Sequence, residues 1–345
     1  MIYGNVFADG HSNNSQFAED NDVHRFNPTY TPRLLRKSFL KQGIEINTPD
    51  VNQGKKVAFD LHFEGRQFIE NDTKRYLIAM ENPNINRLNE NRDYYRKFSK
   101  VFTWDVRQFE LPNVVQTMVP NQLSYECFPG YGERKIFSCL INANKAFREK
   151  VHSDLYRERI NTIHWYEQHA PEKFELFGMG WDKPTPAFDL LGKIKRIMPS
   201  LKKIIIGIKP FPSYHGEVKD KRSVLLNSKF SYCYENTSGP DNYITEKIFD
   251  SFLSGCIPVY WGADNVFEYI PSDCFIDRRR FNNTARVHQF LLKVSPEKYA
   301  NYQLNIARFL KSDRAKIFSS EHFVSIVVRT VVQDLRTTPE TFLVQ

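Results

Sequence analysis

Hydrophobic residues in the first third of the chain fall into short runs that predict β-strands. These runs are rich in β-branched or aromatic residues, are bounded by Asn, Gly, Pro or charged residues, and cover 55–63, 75–80, 100–105 and 114–119. Residues 32–43 instead carry leucine and phenylalanine at helical spacing, and Gly43 stands where a helix C-cap belongs. Strands that alternate with helices predict an α/β fold with a largely parallel sheet.

The same alternation starts again in the second half of the chain. A Pro- and Gly-containing stretch at 121–135 has the composition of a linker. Further apolar runs follow at 136–144, 173–181, 229–235 and 257–261, and then comes a mainly helical segment. We therefore predict a first domain over 1–130, a second domain over 131–325 and a C-terminal tail over 326–345.

Composition and charge narrow the class of protein. Hydrophobic residues make up 41% of the 345 residues and charged residues 26%, which is typical of a globular protein. No apolar run approaches the roughly 20 residues of a membrane-spanning helix, and the N-terminus lacks the pattern of a signal peptide. The five cysteines are odd in number and none is spaced C-x-x-C, so we expect a reduced, cytoplasmic protein.

The net charge of +8 favours an anionic partner, which includes nucleic acid, a diphosphate ligand or a negatively charged membrane surface. Residues 192–210 interleave basic with apolar residues, which is typical either of a membrane-facing amphipathic segment or of a lysine-fringed helix-loop-strand. Pro199 interrupts any helix there and favours the second interpretation. Basic residues are dispersed and many aromatic residues lie within apolar strands, so a nucleic-acid-binding protein is the remote alternative.

The stretch YENTSGPDNYITEKIFDSFLSGCIPVYWG, residues 234–262, concentrates the candidate chemistry. A strand breaks into a small-residue loop, a helix starts near Glu246, and a buried strand follows. In parallel sheets, ligands gather beyond the carboxyl ends of the strands. Lys247 in the first helical turn opposes the helix dipole, and a bound phosphate would give that cation a role. The alternative is an exposed Glu-Lys pair in the first turn with a capping Asn242 or Thr245.

The order of residues in this stretch resembles the signature of the α-1,3/4-fucosyltransferases, glycosyltransferase family 10. The resemblance extends over residues 136–277 and, more weakly, over 75–120, with Ile244 in place of the usual valine. It implies a GT-B architecture, in which two Rossmann-like domains face a central cleft. It also implies inverting transfer of L-fucose from GDP-fucose to a saccharide hydroxyl, in α-1,3 linkage to a GlcNAc- or Glc-type residue of a surface glycan. The alternative is a transferase of the same fold that uses another nucleotide sugar.

The resemblance also implies which residues contact the donor. Lys247 would neutralise the diphosphate and Glu246 would hold the ribose, within a set formed by Asn236, Tyr243, Glu246 and Lys247. The family has a phosphate-binding arginine on the first helix of its donor domain, which we match to Arg157. Arg159 and Arg148 are the alternatives, and any of the three also suits a solvated helix face.

Glu81 is the candidate general base. It follows the predicted strand 75–80 and precedes Asn82, so it lies at the carboxyl end of a first-domain strand. The resemblance places the family's base in this context, and inversion needs a carboxylate that takes the proton of the acceptor hydroxyl. The alternative is that Glu81 is only a solvent-exposed loop residue, as a lone glutamate on a loop usually is. Asp105 is our second candidate for the general base.

We predict no metal site and no required cofactor. The D-x-D form of Asp20, Asn21 and Asp22 does not follow a buried strand, unlike the metal-binding carboxylates of other glycosyltransferases. A divalent cation is expected to be stimulatory at most. The expected partners are GDP-fucose and an oligosaccharide or lipid-linked glycan of protein glycosylation or lipopolysaccharide synthesis. With a lipid-linked acceptor, we expect peripheral contact with the anionic inner face of the membrane.

Overall fold

A computed structural model describes residues 1–18, 28–124, 126, 128–186 and 210–337 of the chain. The D-x-D residues Asp20 to Asp22, residues 192–209 of the basic and apolar segment, and Cys127 lie outside this description.

In the part of the chain that the structure describes, the first sheet contains six parallel strands in the order β2-β1-β3-β4-β5-β6. The strands are β1 Ile2–Phe7, β2 Ile44–Asn47, β3 Val57–Phe63, β4 Lys74–Ala79, β5 Lys100–Thr103 and β6 Val114–Gln116. Two helices connect them, α1 Tyr30–Leu40 and α2 Arg92–Tyr95. Gly43 has a φ of +74°, the left-handed conformation that lets the chain turn from α1 into β2.

Among the described residues, the second sheet contains five parallel strands in the order β11-β10-β9-β7-β8. They are β7 Ile136–Ile141, β8 Phe174–Phe177, β9 Ser228–Gly239, β10 Ile257–Ala263 and β11 Ile276–Asp277. The break between the two sheets, after β6 and before β7, brackets the predicted boundary at residue 130.

Helices surround the second sheet and bury its faces. They are α3 Leu155–His169, α4 Lys221–Asn227, α5 Glu246–Phe252, α6 Val266–Tyr269, α7 Thr284–Leu292, α8 Pro296–Leu310 and α9 Asp313–Lys316. Ile248, Phe249 and Phe252 of α5 are fully buried in the core of this domain. The apolar face of α5 thus anchors the helix, while its other face is free to line a cleft.

The last helix, α10 Ser320–Arg336, returns to the first domain. Its apolar residues, among them Val327 and Val331, join the core formed by α1 and strands β1 to β5. Asp334 accepts hydrogen bonds from Lys74 Nζ at 3.0 Å and from Tyr76 Oη at 2.7 Å. Residues 326–336, which the sequence assigns to a C-terminal tail, are therefore part of the first domain's core.

No helix of the described residues is long and apolar enough to cross a bilayer, and the longest of them, α10, has 17 residues. The predicted α/β fold with two parallel-sheet domains is confirmed.

Candidate active site

A cleft of about 1200 Å³ lies between the two domains, at the carboxyl ends of both sheets. The first domain contributes Glu64, Met80 and Glu81 to its lining. The wall from the second domain includes Asn142, Tyr156, Arg159, Lys221, Asn236, Tyr243, Glu246, Lys247 and Asp250. The chain places these polar side chains together because parallel strands end at one edge of each sheet, and the two edges face each other.

Glu235, in β9, organises the start of α5. Its carboxylate is fully buried and accepts hydrogen bonds from the backbone N–H of Thr245 at 2.9 Å and from the Thr245 hydroxyl at 2.7 Å. The Nζ of Lys247 lies 2.9 Å from Glu235 Oε2. Of the two caps weighed from the sequence, Thr245 holds the N-cap position, but its side chain does not cap the helix. The Thr245 side chain is bound instead by the carboxylate of Glu235, which also holds Lys247 in the cleft wall.

Glu246 and Lys247 form the charged centre of this wall. The side chain of Glu246 is about half exposed (54%), whereas that of Lys247 is 13% exposed. Partial desolvation opposes the ionisation of Glu246, but Lys247 and Lys221 outweigh it and lower the pKa of Glu246 to about 2. Burial alone would lower the pKa of Lys247, but Glu235 and Glu246 raise it above its usual value. Both groups are therefore charged at neutral pH.

Three predicted residues meet across the cleft. Glu81 Oε1 lies 3.4 Å from Asn236 Nδ2 and 3.4 Å from the Tyr243 hydroxyl, and Asn236 Nδ2 lies 3.2 Å from that hydroxyl. Burial raises the pKa of Tyr243 well above its usual value, and the nearby Glu81 raises it further, so the phenol stays protonated and donates to Glu81. The carboxylate of Glu81, in the first domain, thus lies within hydrogen-bonding distance of two residues of the second domain.

Contacts beside this network join the two domains. The Trp104 and Tyr243 rings pack in a tilted arrangement with centroids 4.7 Å apart, and Asn82 Nδ2 donates to Thr237 Oγ1 at 2.7 Å. Asp105, our second choice for the base, is buried, binds Arg107 with Nη2 at 2.6 Å from Oδ2, and is not among the residues that line the cleft. The geometry therefore favours Glu81 over Asp105.

The backbone of Glu81 is held by a second carboxylate, Glu64, at the end of β3. Glu64 accepts hydrogen bonds from the N–H groups of Met80 and Glu81 at 3.0–3.1 Å and from Asn89 Nδ2 at 2.6 Å. Glu64 itself has a φ of +65°, uncommon for a residue other than glycine. Burial raises the pKa of Glu64 despite these donors. The hydrogen bonds to Glu64 therefore hold the loop that carries Glu81 in place.

Arg159, and not Arg157, is the arginine of α3 that lines the cleft. Its side chain is 3% exposed, stacks on the Tyr156 ring at 4.7 Å, and donates from Nη2 to the backbone oxygens of Tyr234 and Glu235 at 2.6 and 2.9 Å. Its Nε is buried and has no hydrogen-bond partner among the described residues.

Arg157 is exposed, as is Arg148. Asp154 caps α3 by accepting from the backbone N–H of Arg157, which places that residue in the first turn. Residues two apart lie on nearly opposite faces of a helix, so the turn that exposes Arg157 directs Arg159 at β9. The sequence narrowed the choice to these arginines, and tertiary packing distinguishes between them.

Sequence reasoning missed Glu64 and Glu235. Glu235 lies within an apolar strand between Tyr234 and Asn236, and an acidic residue at a buried strand position is a signal that a partner cation lies nearby. Glu64 directly follows the predicted strand 55–63, so its position at the carboxyl end of β3 could have been noticed. Among the described residues, no group of three or more His, Cys, Asp or Glu is arranged to hold a metal ion.

Residues 196–335 match the family model described as glycosyltransferase family 10 (fucosyltransferase), C-terminal part. The match includes β9, α5 and β10, and with them Asn236, Tyr243, Glu246 and Lys247 of the cleft wall. The sequence resemblance to this family is confirmed.

Two curated relatives show the same similarity over shorter stretches. The α-(1,3)-fucosyltransferase FucT of Helicobacter pylori is 41% identical over 66 residues, which are 19% of this chain and 14% of the relative. The 4-galactosyl-N-acetylglucosaminide 3-α-L-fucosyltransferase 9 of Mus musculus is 33% identical over 121 residues, which are 31% of this chain and 33% of the relative. The chain therefore spans a third or less of these relatives.

A solved structure of an α1,3-fucosyltransferase with GDP superposes with a TM-score of 0.50 at 14% identity. The superposition covers 96% of this chain and 90% of that one. At this identity the likeness shows the fold, which is the GT-B arrangement of two α/β domains around a cleft.

Proposed function

We propose that the chain, whose residues 196–335 match the family model for glycosyltransferase family 10 (fucosyltransferase), transfers L-fucose from GDP-fucose to a hydroxyl of a saccharide acceptor, with inversion at the anomeric carbon. The acceptor would be a GlcNAc- or Glc-type residue of an oligosaccharide or lipid-linked glycan, linked α-1,3. These finer assignments rest on the family resemblance.

The proposed reaction is a single displacement. The acceptor oxygen forms a bond to the anomeric carbon of fucose as the bond from that carbon to the β-phosphate oxygen breaks. The acceptor proton moves to the carboxylate of Glu81, and GDP leaves with the electron pair of the broken bond. Lys247 and Arg159 would stabilise the charge that grows on the leaving diphosphate, and Glu246 would accept hydrogen bonds from the ribose hydroxyls.

The meeting of Glu81 with Asn236 and Tyr243 across the cleft is the observation that carries this proposal. A general base must be within reach of the acceptor proton and on the side opposite the leaving group. Glu81 belongs to the first domain, whereas Lys247 and Arg159 belong to the second. The cleft therefore has a base on one wall and cations for a diphosphate on the other.

A calorimetric panel tests the donor. We expect GDP and GDP-fucose to bind, and GDP-mannose, UDP-glucose and a DNA duplex to bind more weakly or not at all, because the pocket would recognise both nucleotide and sugar. Tighter binding of a UDP-sugar or of GDP-mannose would support a transferase with another nucleotide sugar. Binding of the duplex alone would support the nucleic-acid alternative and contradict the proposal.

The two arginines of α3 provide a second prediction. Arg159→Ala should weaken GDP binding about ten- to a hundredfold, because a guanidinium that binds a phosphate contributes roughly 1.5–3 kcal/mol. Arg157→Ala is the matched control two residues away and should leave the GDP dissociation constant unchanged. Circular dichroism checks that both variants fold. The opposite result, a loss only in Arg157→Ala, would restore the assignment made from the sequence.

No cofactor is needed for the proposed displacement, since the charges for the leaving group come from Lys247 and Arg159. A divalent cation would act on the diphosphate and stimulate turnover without being essential. Comparing turnover with and without EDTA tests this expectation. Peripheral contact with the inner face of a membrane stays a prediction of the sequence.

A further inference from the structure

Lys221 and Asp250 form a buried ion pair in the wall of the cleft. Lys221 is the first residue of α4, Asp250 lies in α5, and the Lys221 ammonium donates a hydrogen bond to Asp250 Oδ2. The side chains are 16% and 5% exposed, and both residues line the cleft. A buried ion pair adds little net stability, because desolvation of the two charges offsets their attraction. Its position on a cleft wall instead suits recognition of a ligand.

The Lys221–Asp250 pair lies at the position in the cleft that the base of a bound nucleoside diphosphate would reach. Asp250 is four residues after Glu246, so the two side chains share one face of α5 and lie one helical turn apart. In the proposed function, Lys247 and Arg159 hold the diphosphate and Glu246 holds the ribose. Phosphates, ribose and base follow one another in a nucleotide, so a ligand bound in this order reaches Asp250 with its base.

The chemistry of the pair matches one base. Guanine presents two adjacent donors, N1–H and the 2-amino group, beside the O6 acceptor. A carboxylate accepts two parallel N–H groups, and an ammonium donates to a carbonyl oxygen. Adenine and cytosine have an acceptor at the central position of this edge, and uracil has a single N–H between two carbonyls, so each would set an acceptor against the carboxylate.

We propose that Asp250 and Lys221 determine the base specificity of the donor site by binding the guanine edge, Asp250 to N1–H and the 2-amino group and Lys221 to O6. This rests on the proposed function, in which the cleft binds a nucleoside diphosphate sugar. Burial raises the pKa of Asp250 to about 6, although Lys221 lowers it. Among the described residues, Lys221 is the hydrogen-bond partner of this carboxylate, at Oδ2. Two N–H donors of a bound base would replace the hydrogen bonds to water that the Asp250 carboxylate loses on burial.

A change of base preference tests the proposal. Binding of GDP and of xanthosine diphosphate, whose base carries a carbonyl in place of the 2-amino group, is measured by calorimetry on the full chain. The wild-type protein should prefer GDP. Asp250→Asn presents one acceptor and one donor, which fit N1–H and the 2-carbonyl of xanthine, so it should bind GDP about tenfold more weakly and xanthosine diphosphate more tightly than the wild type.

Glu217→Gln is the matched control, because it neutralises an exposed carboxylate on the same wall of the cleft. It should leave the preference for GDP unchanged. An Asp250→Asn protein that loses both nucleotides equally, or that still prefers GDP as the wild type does, overturns the proposal. A wild-type protein that binds UDP in preference to GDP contradicts the proposed function itself, which separates the two failures.

Inosine diphosphate gives a measurement on the wild-type protein, should Asp250→Asn not fold. It lacks only the 2-amino group, and we expect it to bind about tenfold more weakly than GDP. Equal affinities for the two nucleotides overturn the proposal.

Discussion

Glu81→Gln should lower kcat by about 10²–10⁴ and leave the affinity for GDP nearly unchanged. Glutamine keeps the size of the side chain and an oxygen that Asn236 and Tyr243 can bond, but it cannot take the proton of the acceptor hydroxyl. In the proposed function the base lies on the first-domain wall and the nucleotide on the second, so we expect donor affinity to change little. The loss should fall on kcat rather than on KM, since proton transfer matters in the transition state. Steady-state kinetics and GDP calorimetry on the same preparation measure both.

Asp105→Asn is the comparison variant for Glu81→Gln. Asp105 is bound to Arg107 and lies outside the cleft lining, so its turnover should stay near normal at temperatures well below unfolding. Near-normal turnover in Glu81→Gln, together with a large loss in Asp105→Asn, would move the role of base to Asp105.

Lys247→Met should lower the free energy of unfolding by about 3–5 kcal/mol, the usual cost of removing one partner of a buried ion pair. Glu235 is fully buried, and the variant removes the ammonium that lies 2.9 Å from its carboxylate. The same variant should bind GDP about ten- to a hundredfold more weakly, because one cation of the proposed diphosphate site is lost. Denaturant unfolding and calorimetry give the two quantities.

A double variant separates these two effects of Lys247. Adding Glu235→Gln to Lys247→Met removes the unpaired buried charge, while the glutamine oxygen can still accept from Thr245. Stability should largely return, and GDP binding should remain weak. Recovery of GDP binding along with stability would show that Lys247 acts through the fold and not on the ligand.

The sequence predicted the main elements of the candidate site because local rules locate the ends of the strands and the family resemblance singles out residues at those ends. Strand runs with β-branched residues end in turns, and parallel strands bring those turns to one edge. Glu81 follows β4, Asn236 lies near the end of β9 and Tyr243 lies in the loop between β9 and α5, so their convergence on one cleft needed no knowledge of side-chain packing. The predicted donor residues Glu246 and Lys247 line the same cleft.

What the sequence could not determine depends on contacts between distant segments. Arg157 and Arg159 are equally good phosphate ligands by residue type, and only the packing of α3 on β9 directs the second inward. Lys221 and Asp250 lie 29 positions apart in the chain, and their pairing joins two different helices. The return of α10 to the first domain was hidden because an amphipathic helix at the end of a chain fits either domain equally well by pattern.

The position of α10 has a consequence for synthesis on the ribosome. Strand β6 ends at residue 116 and α10 begins at residue 320, so about 200 residues separate the first sheet from the helix that covers it. At about 5–20 residues per second, translation of this interval takes on the order of 10–40 seconds. During that time the surface of the first domain that buries Val327 and Val331 has no cover of its own and is open to a chaperone. The domain that is made first is therefore the last to complete its core.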